Sequence, residues 1–189
     1  ILEAIKPGVT MVAIGNVHWA DGTRFDLEAI RKETERAGAY LVVDGTQSVG
    51  AMPFDMQRIR PDALVCAGYK WLMGPYSIGL AWYGAAFDEG KPIEQNWITR
   101  KGSEDFTSLT ASGQDYQRGM SRFDVGERSN FILVPMMLEA LKMLNRWKPE
   151  RVQAYCGKIS AAALQDLKKA GWWVEDQEFR GNHLSLIHI

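Results

Sequence analysis

The chain has 189 residues, of which 46% are hydrophobic and 24% are charged, as is typical of a globular domain with a sizeable core. The net charge of -1 offers no broad basic face, so we expect neither nucleic acid nor an anionic membrane as a partner. No apolar run is long enough to cross a bilayer. The two cysteines form no metal-binding spacing and no disulfide framework, and nothing resembles a secretory signal, so we expect a cytoplasmic protein without a metal.

The two ends of the chain interrupt predicted elements. The chain opens at Ile1 within an apparent helix, and it stops on the apolar run from Leu184 to Ile189. We therefore expect a fragment of a longer protein. The last few residues are either native sequence or a cloning or sequencing scar.

The first part of the chain predicts a strand, a helix and a second strand. Val9–Ile14 and Tyr40–Val43 are short apolar runs of the kind that form buried parallel strands. Between them, Asp26 can cap a helix whose apolar stripe stops at Gly38. This alternation predicts a right-handed parallel crossover and hence an α/β fold.

Two glycine-containing turns follow neighbouring strands, and each carries one charged residue. Asp44 follows the second strand, and Lys70 follows a third apolar run, Ala63–Ala67. Taken singly, such an aspartate is a turn residue and such a lysine a solvated surface charge. Together they lie at the carboxyl ends of strands, where open α/β sheets bind ligands. The pair suits pyridoxal phosphate, because the carboxylate keeps the pyridine nitrogen protonated and the amine forms a Schiff base with the aldehyde.

The rest of the chain predicts one more strand, Leu80–Tyr83, and then a polar stretch without clear periodicity between residues 91 and 121. Pro135 suits the first turn of a helix, and a second helix follows Pro149. Two apolar stripes predict core packing of these helices: Met137, Leu138, Leu141 and Leu144 in the first, and Val152, Tyr155, Ile159, Ala163 and Leu167 in the second.

Two domains are expected, a large one over residues 1–130 and the start of a small one over residues 131–189. Trp172–Val174 and His183–Ile189 are predicted to be strands of the small domain.

Three segments, Asp44–Asp55, Gly68–Pro75 and Arg122–Asn130, together resemble the class V aminotransferase family. That family contains cysteine desulfurases, selenocysteine lyases, kynureninases and isopenicillin-N-epimerase-like proteins. The resemblance implies most of the three-layer α/β/α large domain of a fold-type I enzyme with a mostly parallel sheet. It also implies pyridoxal 5'-phosphate as cofactor, an amino acid as substrate and a homodimer.

The resemblance also implies roles for particular residues. Lys70 would carry the cofactor and move the substrate proton, while Asp44 would contact the pyridine nitrogen. Gln47 would donate a hydrogen bond to the phenolic oxygen of the cofactor. Tyr69, which stands where desulfurases usually have histidine, would contact the phosphate as in kynureninases. Asn16 would contact the substrate carboxylate, with an ordinary turn asparagine as the equal alternative.

Two further cofactor contacts follow from weaker matches. Trp97 would reach the phosphate as a tryptophan of this region does in kynureninases, although an interface aromatic is the alternative. The family has threonine where this chain has Glu127, whose charge repels a phosphate. We therefore expect Arg128 to bind the phosphate of the partner subunit's cofactor instead.

The resemblance leaves several reactions open, each through an external aldimine with an amino acid. A cysteine desulfurase or selenocysteine lyase is the first choice. A kynureninase-like hydrolase is the alternative, because of Tyr69 and the run from Arg180 to Ser185, and an aminotransferase or epimerase stays open. A noncatalytic or inert truncated relative is the contrasting possibility, since the family's phosphate loop, catalytic cysteine and substrate arginine are expected outside this chain.

Overall fold

A four-stranded sheet organises the structure, a computed structural model that describes residues 1–107 and 115–184. The strands are β1 (Met11–Gly15), β2 (Tyr40–Asp44), β3 (Ala63–Ala67) and β4 (Gly79–Tyr83), and they lie side by side in chain order. β1, β2 and β3 are parallel, whereas β4 runs antiparallel to β3. The predicted α/β fold with a mostly parallel sheet is confirmed.

Helix α1 (Leu27–Ala37) begins and ends at the residues that the sequence predicts. The Asp26 side chain accepts a hydrogen bond from the Ala29 backbone N–H at 2.9 Å, which satisfies one of the free donors of the first turn. Gly38 ends the helix in the left-handed conformation, with φ of 69°. A short helix, α2 (Met56–Ile59), connects β2 to β3. One apolar cluster joins these helices to the sheet: Ile5, Leu27, Ile30, Leu41, Val43 and Ile59.

Two longer helices, α3 (Leu133–Trp147) and α4 (Pro149–Lys169), follow the sheet. α3 contributes to a second apolar cluster, which comprises Cys66, Leu72, Met137 and Leu144. In α4 no described residue is buried, and Tyr155 and Ile159 are 66% and 62% exposed. Predicted core packing is therefore confirmed for Met137 and Leu144 of α3 but wrong for Leu138, which is 51% exposed, and for the α4 stripe. Periodicity identifies an apolar face but does not supply a surface to cover it.

The remaining segments contain little regular structure. Short 3-10 helices occupy Leu2–Ala4, Ala85–Phe87, Gly119–Phe123 and Gln177–Phe179. The predicted strand Trp172–Val174 is wrong, since only a single bridge forms there, at Trp173. The predicted strand at His183–Ile189 lies mostly outside the described residues. No helix in the described part of the chain is long and apolar enough to span a membrane.

Candidate active site

The ends of β2 and β3 are tied together by Thr46. Its backbone N–H donates to the Asp44 carboxylate at 2.9 Å, and its hydroxyl accepts from the Ala67 backbone N–H at 3.0 Å. One residue therefore fixes the Asp44 carboxylate relative to the strand end that leads to Lys70. Sequence reasoning missed Thr46, and its place shortly after Asp44 in a turn is the signal that could have found it.

The turn after Asp44 also lies directly against the turn that carries Lys70. Gly50 has φ of 97°, and a Cβ atom built on it would lie 2.3 Å from the carbonyl oxygen of Trp71. Any side chain at residue 50 would push the two turns apart, so glycine is required by both the conformation and the close approach.

A cavity of about 380 Å³ opens where these turns meet the end of β1. Its polar side chains come from His18, Asp44, Thr46, Gln47 and Lys70. Its volume lies in the range of small-molecule sites. The structure thus brings together three of the residues that the sequence singles out, at the carboxyl ends of the parallel strands. Trp19, which is 70% exposed, is part of the apolar wall, a contribution that the sequence did not reveal.

The donor set of this cavity fits pyridoxal phosphate. Lys70 Nζ lies 5.9 Å from the centroid of the Tyr69 ring, and within residues 1–107 and 115–184 no carboxylate forms an ion pair with it. The amine is therefore available to a ligand. Within the described part of the chain, the Asp44 carboxylate accepts a hydrogen bond only from the Thr46 backbone N–H, so it has further acceptor capacity. An acceptor and an amine facing one hollow are the groups that a protonated pyridine and an aldehyde need.

The other predicted site residues lie outside this cavity. The Tyr69 ring stacks on Tyr76 with centroids 4.5 Å apart, and Trp97 packs edge-on against Phe106. Asn16 is only 5% exposed, and its backbone N–H donates to the Asp44 carbonyl at 3.1 Å. Their predicted contacts with cofactor or substrate stay predictions.

Arg128 lines a second, larger cavity of about 910 Å³, to which Asp44 and Thr46 also contribute. Its guanidinium forms an ion pair with Asp124, and both side chains are partly exposed. Arg128 is therefore at a surface that adjoins the candidate site, but on a different hollow from Lys70.

Cys66 lies behind the Asp44 turn and is 7% exposed. Burial, reinforced by the negative charge of Asp44, raises the pKa of its thiol to about 11, although a hydrogen bond from the Gly45 backbone opposes the shift. Burial and the raised pKa both disfavour the thiolate at neutral pH, as is typical of a core cysteine. Within the described residues no cluster of histidine, cysteine, aspartate and glutamate could hold a metal ion.

Comparisons with known proteins bear on the family and the fold of this chain. A sequence model of the family described as aminotransferase class-V matches residues 1–177. An uncharacterized aminotransferase of Bacillus subtilis is 27% identical over 88% of this chain and 43% of its own length. A probable cysteine desulfurase of Mycolicibacterium paratuberculosis is 31% identical over 80% of this chain and 21% of its own length. The chain thus spans less than half the length of these relatives.

Solved structures show the same fold. The apo structure of a cysteine desulfurase from Thermococcus onnurineus matches 96% of this chain and 44% of that chain, with a TM-score of 0.79 and 23% identity. The cysteine desulfurase CsdA of Escherichia coli matches 94% of this chain and 43% of that chain, with a TM-score of 0.77 and 22% identity.

Proposed function

The chain belongs to the class V aminotransferase family, and from that premise we propose that it carries the cofactor-anchoring part of an enzyme that acts on an amino acid with pyridoxal phosphate. The observation that supports this proposal is the single cavity faced by Asp44, Gln47 and Lys70. The roles of individual residues, the reaction and the oligomeric state proposed below all rest on this proposal.

Each of the three residues has a distinct role in the proposal. When bound, the cofactor supplies an electron sink for bonds at the substrate's α-carbon. The Asp44 carboxylate holds a proton on the ring nitrogen, because an adjacent negative charge favours the protonated pyridine. Gln47 orients the ring through a side-chain hydrogen bond. The Lys70 amine holds the cofactor in the resting enzyme and moves the substrate proton once it is released.

Borohydride trapping tests the anchor directly. The full-length protein is mixed with pyridoxal phosphate, its visible spectrum is recorded, and the reduced protein is digested for peptide mass mapping. We expect a visible absorption band and a cofactor mass on the peptide with Lys70. Lys70→Ala should lose both, whereas Lys169→Ala, on exposed α4, should keep both. Labelling of another lysine in the wild-type protein, or no label at all, would refute the proposal.

Cysteine desulfurase or selenocysteine lyase activity is the first choice of reaction. The likeness of this chain to proteins named as cysteine desulfurases supports it. Neither reaction can use Cys66 as the sulfur-accepting thiolate, because burial keeps its pKa near 11. The thiolate would have to come from elsewhere in the full-length protein. The assay measures alanine together with sulfide from cysteine, or with selenide from selenocysteine, in the presence of an added dithiol, because the transferred sulfur or selenium needs two electrons from a reductant to leave as sulfide or selenide.

Aminotransferase activity is the second candidate, favoured by the relative that aligns over 88% of this chain. In that case the amino group would appear on an added keto acid without sulfide or anthranilate.

A kynureninase-like hydrolase rests on Tyr69 and Arg180 and is tested by anthranilate release from kynurenine. An epimerase would instead invert the α-carbon of the amino acid. The absence of all of these products, the inverted amino acid included, from a protein with cofactor on Lys70 would favour a noncatalytic relative.

We also propose that the full-length protein is a homodimer, in which Arg128 binds the phosphate of the partner subunit's cofactor. The exposed Arg128–Asp124 pair beside the larger cavity supports a guanidinium free to exchange partners. Arg128→Ala should weaken cofactor affinity about tenfold, as expected for one charged hydrogen bond to phosphate. Equilibrium dialysis gives the affinity and sedimentation gives the mass. Unchanged affinity in Arg128→Ala, or a monomeric wild-type holoenzyme, would contradict this part.

A further inference from the structure

The ring of His183 contacts both turns of the candidate site, although it lies far from them in the chain. Its Nε2 atom is 2.6 Å from the backbone oxygen of Gln47. The ring also packs edge-on against Trp71, with centroids 4.8 Å apart and an interplanar angle of 83°. Trp71 directly follows Lys70. The imidazole of His183 therefore contacts the backbone of Gln47 and the side chain of the residue next to Lys70.

Gln153 of α4 determines which ring nitrogen carries the hydrogen. Its Nε2 group donates to the Ala51 carbonyl at 2.8 Å and lies 2.9 Å from His183 Nδ1. Its Oε1 atom accepts from the Asn182 backbone N–H at 2.8 Å, which fixes the orientation of the amide. Both amide hydrogens are therefore directed at acceptors, so Nδ1 accepts and Nε2 bears the hydrogen that it donates to Gln47.

We propose that His183, as a neutral imidazole, is a positioning residue that holds the Gln47 turn against Trp71, so that the side chains of Gln47 and Lys70 face the same cavity. The consequence for cofactor affinity rests on the proposed function, whereas the clamp itself does not. Through Gln153, α4 contacts the site, and through His183 the C-terminal segment does so. The β-strands alone do not make this connection.

The surroundings of the ring favour its neutral form. Among residues 1–107 and 115–184, the groups that bond to the ring or pack on it are the Gln153 amide from α4, the Gln47 carbonyl from the first turn and the Trp71 indole from the second, and none of these titrates. Protonation would place a hydrogen on Nδ1 directly opposite the amide hydrogens of Gln153. Burial lowers the pKa of His183 from its ordinary value, although the bond to the Gln47 carbonyl opposes that shift.

A double-mutant cycle on cofactor affinity tests the positioning role in the full-length protein. His183→Phe keeps a ring on Trp71 but loses both hydrogen bonds, so we expect pyridoxal phosphate affinity to fall about 2- to 10-fold. His183→Gln can donate and accept at the same places and should stay within about twofold of wild type at pH 8. In a Gln47→Ala background, His183→Phe should have a smaller effect, because the Gln47 side chain is gone and only the placement of Lys70 is left to lose.

The matched control is Gln165→Leu on exposed α4, set against Gln153→Leu on the same helix. Gln153→Leu should lower cofactor affinity as His183→Phe does, and Gln165→Leu should not. If His183→Phe stays folded with unchanged affinity, or weakens binding by the same factor with and without the Gln47 side chain, the positioning role is refuted.

A cofactor-free measurement separates this inference from the proposed function. In ¹⁵N-labelled protein without pyridoxal phosphate, His183 should show the Nε2–H form at neutral pH and a pKa below that of an exposed histidine. His183→Phe should shift the backbone amide signals of Gln47 and the residues next to it, and His183→Gln should bring these signals back toward their wild-type positions. If these signals do not move, the clamp is wrong even where the cofactor binds. If they move and no cofactor binds, the proposed function fails and the clamp stands.

Discussion

The β1–β3 half of the chain and the α4 helix bury their apolar residues to very different extents. In β2, Leu41 and Val43 are fully buried between helix and sheet. In α4, Tyr155 and Ile159 are more than 60% exposed, although the sequence gives both regions clear apolar patterns. A strand–helix–strand unit supplies both surfaces that it buries, whereas a single long helix supplies only one. The pattern therefore predicts burial reliably within a strand–helix–strand unit, and for a single helix only where another part of the chain covers it, as for α3 but not for α4.

The largest expected effect comes from truncating the centre of the packed half. Leu41→Ala should lower the free energy of unfolding of this chain by about 2–5 kcal/mol, because a fully buried leucine leaves a cavity. Ile159→Ala in α4 should change it by no more than about 0.5 kcal/mol. Urea denaturation monitored by tryptophan fluorescence measures both. Equal losses would break the comparison, since they would mean that α4 is as well covered as β2.

The second prediction concerns the thiol of Cys66, which lies in the well-packed β1–β3 half of the chain. Because burial and the Asp44 charge raise the pKa of Cys66 to about 11, folding favours the protonated thiol. Its contribution to stability is present below the ordinary thiol pKa and is lost as pH rises toward 11. At pH 8, thiolate depletion should slow iodoacetamide labelling of Cys66 about 100-fold relative to the unfolded chain, as two pKa units imply.

Peptide mass mapping separates Cys66 from Cys156, which lies partly exposed on α4. Cys156 is the internal control, and it should be labelled ahead of Cys66 in the folded chain. Similar labelling rates for the two folded thiols would contradict the raised pKa of Cys66 and the close packing around it.

A smaller effect is expected from the ion pairs of the two regions. Asp62 accepts from Arg31 at 2.8 Å and from the Leu41 backbone N–H at 2.7 Å, with both side chains mostly shielded from water. Asp62→Ala should cost about 1.5–3 kcal/mol, because Arg31 Nη1 and the Leu41 N–H lose their acceptor, although Arg31 Nε keeps its bond to Glu35. Asp166→Ala, which removes an exposed partner of Lys169 on α4, should cost less than about 0.5 kcal/mol.

Urea denaturation of the two aspartate variants in parallel decides the comparison. A loss in Asp62→Ala no larger than in Asp166→Ala would show that the Arg31–Asp62 pair is as hydrated as the surface pair. The low solvent exposure of Arg31 and Asp62 would then add nothing measurable to the free energy of unfolding.

The sequence predicts those parts of the fold and site that depend on neighbours in the chain. The caps of α1 at Asp26 and Gly38, the run Ala63–Ala67 and the convergence of Asp44 with Lys70 all follow from local patterns and from the rule that parallel strands end at one edge. The contact of His183 with Gln47 joins residues at opposite ends of the chain, and no local pattern encodes it. The same holds for the approach of residue 50 to Trp71, whose need for glycine appears only when both turns are in place.

The smallest expected effect lies at the junction of β2 and β3. Thr46→Val keeps the shape of the side chain but removes the acceptor for the Ala67 N–H, so it should cost about 1 kcal/mol. Thr46→Ser keeps the hydroxyl and should cost less. Both variants keep the backbone donor to Asp44, so a loss of cofactor affinity in Thr46→Val alone would come from the spacing between strand ends and not from the carboxylate. Equal stability and equal affinity in the two variants would show that packing along β2 and β3 sets this spacing without the hydroxyl bond.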